Sequence, residues 1–159
     1  MRFFILIILL IIVLLIFFIS KRILRQKALT ILQAKNKKIT DKAVSNSLAQ
    51  LSTEWLDDYS SEINNSRLLA SIWGKGVTVF EYILPAQKAT KKELEQFRQN
   101  LNAQLALYAQ KNSIFHFEKT PAFLISDLWF LTSSIHIEVA CISNQQTLDY
   151  LGDIDKLEG

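Results

Sequence analysis

The 159-residue chain is 50% hydrophobic and 21% charged with only 4 Gly and 2 Pro, which excludes a disordered, collagenous or low-complexity protein and leaves room for one anchor and one folded domain. Its single cysteine excludes an intramolecular disulfide framework and a cysteine-rich zinc cage. The net charge of +3 is unevenly spread: residues 1–42 hold nine Lys or Arg against Asp41, giving +8, and the remainder holds nine against fourteen Asp or Glu, giving −5.

Phe3 to Ile19 is an unbroken run of 17 apolar side chains. At about 1.5 Å per residue it covers about 25 Å of a hydrocarbon core about 30 Å thick, and the stems of Lys21 and Arg22 can span the rest. A cleaved signal peptide is the competing reading. The run is long for that role and ends Phe17-Phe18-Ile19-Ser20 with no small-x-small cleavage site, so an uncleaved anchor is preferred. The run contains no ionisable group and no small-xxx-small spacing, which favours an anchor over a transport path. Basic residues concentrate after the span, beginning with Lys21, Arg22, Arg25 and Lys27, so the positive-inside rule places the C-terminal domain in the cytoplasm, with a periplasmic or extracellular domain as the alternative. These four residues are also the candidate contacts to anionic headgroups at the membrane surface. The acidic remainder argues against a nucleic-acid partner, and Lys88, Lys91 and Lys92 read as the solvated start of a helix.

Leu24, Ala28, Ile31 and Leu32 recur at helical spacing, which predicts an amphipathic stalk that breaks at Asn36-Lys37-Lys38. A second helix is predicted from Asp41 to Ile63, carrying Val44, Leu48, Leu51, Trp55, Tyr59 and Ile63 on one stripe. Within it Leu51, Trp55 and Tyr59 are the candidate partner-binding residues, with Leu48 and Leu51 expected to be buried and Trp55 partly available. Two apolar strings, Arg67–Trp73 and Val77–Leu84, flank Gly74-Lys75-Gly76 and predict a hairpin. In the second string Val79 and Ile83 share a face with Glu81 while Phe80, Tyr82 and Leu84 line the other, so both faces need cover. The Gly-x-Gly lacks the further Gly-Lys-Ser/Thr of a phosphate loop and is bracketed by predicted strands, so it reads as a turn.

Thr90-Lys91-Lys92-Glu93 fits a capping box opening a helix to Lys111, with Leu94, Phe97, Leu101, Leu105 and Tyr108 on its apolar side. Ile114–Glu118 alternates like a strand. Ala122–Leu131 is ambiguous between strand and helix. Ser134–Ile142 alternates clearly, and a short helix capped by Asn144 is predicted over 145–151. The order defines an α+β fold: a transmembrane anchor (1–20), a basic stalk (21–40) and a domain (41–159) built as a small antiparallel sheet with helices packed on one face.

Both histidines occur as His-x-Glu, in His116-Phe117-Glu118 and His136-Ile137-Glu138. Side chains two apart on a strand share a face, so two such strands could gather His116, Glu118, His136 and Glu138 as ligands for zinc, iron or manganese. The plainer reading is two wet strand faces. Cys141 falls on the apolar parity of its strand and reads as a buried structural thiol. No cofactor is expected. The preferred function is a single-pass membrane protein whose domain binds protein partners as scaffold, assembly factor or inhibitor without catalysis; the alternative is a membrane-tethered metal-dependent hydrolase using the two His-x-Glu pairs. In outline the layout is similar to single-pass assembly subunits of bacterial secretion and pilus machines. No motif carries that likeness, and the preferred orientation departs from those subunits whose domain is translocated.

Overall fold

A computed structural model describes residues 2–51, 53–59, 61–69, 74, 76–114 and 117–158. It divides into two compact units, Met1–Ala34 and Lys35–Gly159. The first helix, α1 (Arg2–Leu48), meets no Gly or Pro, the first of which are Gly74 and Pro85, so nothing in its backbone interrupts the hydrogen-bond ladder. Its most apolar 18-residue stretch has a mean hydropathy of 2.8 and is 0% buried, so this helix is long and apolar enough to cross a membrane. The described side chains from Phe3 to Ile19 are all exposed, as are Lys21, Arg22, Arg25 and Lys27.

The predicted break at Asn36-Lys37-Lys38 does not occur. Asn36 is buried and donates its amide to Ser143 Oγ at 2.7 Å, Thr40 Oγ1 donates back to the Asn36 carbonyl at 2.8 Å, and Lys37 pairs with Asp41 at 2.7 Å. Polar residues that look like a helix stop are thus satisfied within a continuing helix. The helix predicted from Asp41 to Ile63 is corrected at its other end, because α1 stops at Leu48. Beyond it the chain runs alongside the residues that follow strand β2 (Val79–Pro85): Gln87 N–H donates to the Trp55 carbonyl at 2.7 Å and Asp57 N–H to that of Pro85 at 3.1 Å. Leu51, Trp55 and Tyr59 still pack against the core, but from non-helical backbone in which Glu54 and Trp55 form a turn. A single 3-10 turn, Ile63–Asn65, precedes strand β1 (Arg67–Leu68).

The other elements are α2 (Lys91–Lys111), β3 (Phe123–Leu131), β4 (Ser134–Cys141) and α3 (Gln145–Glu158). The sheet is antiparallel throughout, in the order β1-β2-β4-β3. The predicted hairpin is present as the β1–β2 pairing; the parts of it predicted over residues 70–73 and 75 lie outside the described residues. The stretch 122–131, ambiguous by its sequence pattern, forms strand β3 from Phe123 on and turns into β4 through Thr132 and Ser133. The predicted capping box is formed, with Thr90 Oγ1 accepting from Glu93 N–H and the Glu93 carboxylate accepting from Thr90 N–H. Asn144 Oδ1 accepts from Thr147 N–H at 2.8 Å and so caps α3 as predicted.

One sheet face carries Phe80, Tyr82, Leu84, Ile135, Ile137, Val139, Phe123 and Ile125. It packs with Ala43, Val44 and Leu48 of α1 and Phe97, Leu101, Leu105 and Ala109 of α2 to form the main core. On the opposite face α3 brings Tyr150 and Leu151 onto Val79, Ala140 and Ile142 in a smaller cluster. The alternation of β2, apolar on both parities, asks for cover on both sides; α1 and α2 cover one face, and α3 covers Val79 on the other, where Ile83 stays exposed.

Candidate functional site

The segment after α1 and the first turns of α2 enclose an open groove of about 600 Å³. Its apolar lining is Leu51, Trp55, Phe97 and Ala103, and its polar lining includes Glu54, Glu93, Gln96, Asn100 and Gln104. Trp55 is half-buried, its ring edge-on to Phe97 at 5.0 Å and to Phe130 at 6.5 Å. Phe97 is 4% exposed and belongs to the core, so the groove sits on rigid packing. Of the three predicted partner residues, Leu51 and Trp55 line this groove. Tyr59 does not; it packs against the core, and burial, with a smaller contribution from Asp58, raises its hydroxyl pKa. The carboxamides of Gln96, Asn100 and Gln104 stand four residues apart along α2 and were not singled out from the sequence, although their spacing marks one helix face.

The second polar constellation lies on the sheet face that carries α3. Register places Arg67 opposite Glu81, Glu81 opposite Glu138 and Glu138 opposite Asp127, a charged row across all four strands. Glu81 is 5% exposed; its Oε2 accepts from Arg67 Nη2 at 2.7 Å and its Oε1 from His136 Nδ1 at 2.9 Å. The His136 ring stacks on Trp129 at 4.9 Å, and at the sheet edge Asp127 meets Arg98 of α2 at 3.7 Å. Glu138 accepts from the Tyr150 hydroxyl at 3.2 Å. Its pKa is raised, by burial first and then by the neighbouring charges of Asp127 and Glu81, while burial and Glu138 push the Tyr150 hydroxyl up to about 12.

A raised folded-state pKa means that ionising Glu138 costs the folded state more than the unfolded one. Its contribution is therefore intact below the unfolded value of 4.5 and lost as pH rises through the folded value. Glu138→Gln is expected to remove this loss. Thermal unfolding of both proteins between pH 4.5 and 8 checks it, with the variant gaining on the parent toward the alkaline end. A constant difference across that range would show that the row does not couple to protonation.

The predicted metal ligands meet a different geometry. His136 and Glu138 do share a strand face, but Glu118 does not stand on a strand: residues 117–120 form a turn, with Glu118 at φ 55 and Thr120 N–H donating to the Phe117 carbonyl. The Phe-Glu-Lys-Thr stretch is too short and too tightly turned to pair, which local alternation could not reveal. His116 lies outside the described residues. Among the described residues no group of three or more His, Cys, Asp or Glu is arranged to hold a metal ion.

Cys141 is buried on the main-core face, opposite in parity to His136, and burial pushes its thiol up to about 11. Of the headgroup candidates, Lys21 lies with its Nζ 5.6 Å from the Phe17 ring centre, its stem directed back along the apolar run. Comparison with protein-family models, curated proteins and solved structures finds no match to this chain.

Proposed function

We propose that this chain is a single-pass membrane protein whose α+β domain binds a protein partner through the groove beside α2, as scaffold, assembly factor or inhibitor, with no catalytic step of its own. The observation that carries the reading is the half-exposed Trp55, held edge-on by Phe97 next to Leu51 and bordered by carboxamides. A rigid aromatic anchor in a preformed depression with polar groups around it is the usual make-up of a binding hot spot. The basic flank after the apolar run supports a cytoplasmic domain and contact of Lys21, Arg22, Arg25 and Lys27 with anionic lipid.

A photo-crosslinking side chain placed at Asn100 or Gln104 in cells is expected to yield a discrete protein adduct, and one placed at Lys119 is not. Adducts independent of position would count against the groove. A reporter fused after Gly159 that works only outside the cytoplasm is expected to stay silent, and its activity would reverse the orientation.

A further inference from the structure

We infer that the groove beside α2 receives an extended partner segment bearing lysine or arginine side chains. The inference rests on the groove being the binding site and adds what enters it. Glu54 and Glu93 are the charged groups of its lining, and among the described lining residues there is no Lys or Arg. The two carboxylates come from different elements, the segment after α1 and the first turn of α2, with the Trp55 ring belonging to the same lining. Carboxylates that share a lining with an aromatic ring supply the chemistry that holds a guanidinium or ammonium group, by ion pairing and by attraction to the π-face. Glu93 keeps its charge, because hydrogen bonds from Thr90 lower its pKa. The domain beyond residue 42 carries −5, which adds long-range attraction for a basic segment. Lys91 and Lys92 line an adjoining depression that shares Gln96 and Asn100 with the groove; they stand outside the groove's own lining, and Glu95 lies beside them.

The carboxamides explain why the segment is extended. Gln96, Asn100 and Gln104 rise by four residues each, about 6 Å per step, close to the roughly 6.7 Å that two residues of an extended chain advance. Each carboxamide offers both a donor and an acceptor, so the row can serve successive outward-facing peptide groups along one edge of a strand-like segment. Its side chains then alternate toward and away from Trp55.

The test uses the full chain in an uncharged detergent and three dye-labelled peptides in which alanine alternates with arginine, glutamine or glutamate. Fluorescence anisotropy at low salt is expected to show the arginine peptide bound about tenfold more tightly than the glutamine peptide, the gap closing at high ionic strength. Glu54→Gln and Glu93→Gln should each weaken the arginine peptide about threefold and leave the glutamine peptide unchanged. Glutamine at position 93 still serves the capping box, so that variant changes charge and not the helix start. Glu118→Gln, outside the groove, should change nothing. The basic stalk biases against this result, which makes a positive outcome stricter.

Equal binding of the arginine and glutamine peptides, preference for the glutamate peptide, or no binding of the arginine peptide overturns the inference. In any of those three cases, if a peptide still binds and Asn100→Ala and Trp55→Ala weaken it alike, the groove stands while its cationic occupant falls. If binding is indifferent to both of those variants, the groove itself is refuted.

Discussion

Asp41→Ala is expected to lower the unfolding free energy by about 3 kcal/mol and the melting temperature by about 10 °C. Asp41 ties α1 to the sheet: its Oδ1 accepts from the Tyr82 hydroxyl at 2.8 Å and from Ser66 Oγ at 2.6 Å, and its Oδ2 from Lys37 Nζ at 2.7 Å. Tyr82 is 0% exposed, and burial together with the Asp41 charge raises its hydroxyl pKa, so that group must donate to a protein acceptor. Removing the carboxylate strands two hydroxyls, each worth about 1–3 kcal/mol if left unpaired. Their proximity lets them partly satisfy each other, which holds the total near the lower part of the summed range. Tyr82→Phe supplies the control. It removes one hydrogen bond and leaves Asp41 with Lys37 and Ser66, so it is expected to cost only about 1 kcal/mol. Calorimetric unfolding of both variants decides the matter, and equal losses would show that Asp41 is not the tie.

Phe97→Ala is expected to cost about 3–5 kcal/mol, more than any change at the groove's polar rim. Phe97 is a core residue of α2 and also the ring on which Trp55 rests, so its loss opens a cavity and releases the anchor above it. Trp55→Ala leaves the core side intact and, from a half-buried position, is expected to cost about 2 kcal/mol. Asn100→Ala, at an exposed helix position, is expected to stay within about 0.5 kcal/mol. Urea unfolding of the three variants ranks them. If Phe97→Ala proved as mild as Asn100→Ala, the groove would not rest on rigid packing, and Trp55 would lose its role as a preformed anchor.

Several features needed only short-range information. An uninterrupted apolar run reads as a membrane-length helix because the helical rise is constant, and Thr90 with Glu93 announces a helix start because capping acts within one turn. Alternation over 134–142 placed Cys141 on the core face and His136 on the other, since strand parity is a two-residue rule. These signals were enough for the α+β class, the capped helices and a first view of Leu48 and Trp55.

What depended on tertiary structure is set by residues far apart in the chain. Asn36 resembles a helix breaker until Ser143, 107 residues later, accepts its amide, and the stripe through Trp55 and Tyr59 resembles a helix until the backbone after Leu48 finds Pro85 and Gln87. His-x-Glu suggested paired ligands, but strand register gave His136 to Glu81, 55 residues earlier in the chain, and a turn took Glu118. The groove likewise joins residues 50–55 to 93–104, whose spacing in sequence carries no trace of their meeting. Sequence by itself determined the elements whose energetics are local; which buried polar groups meet, and therefore where helices end and where a site forms, was decided by the need to satisfy those groups once the hydrophobic faces had packed.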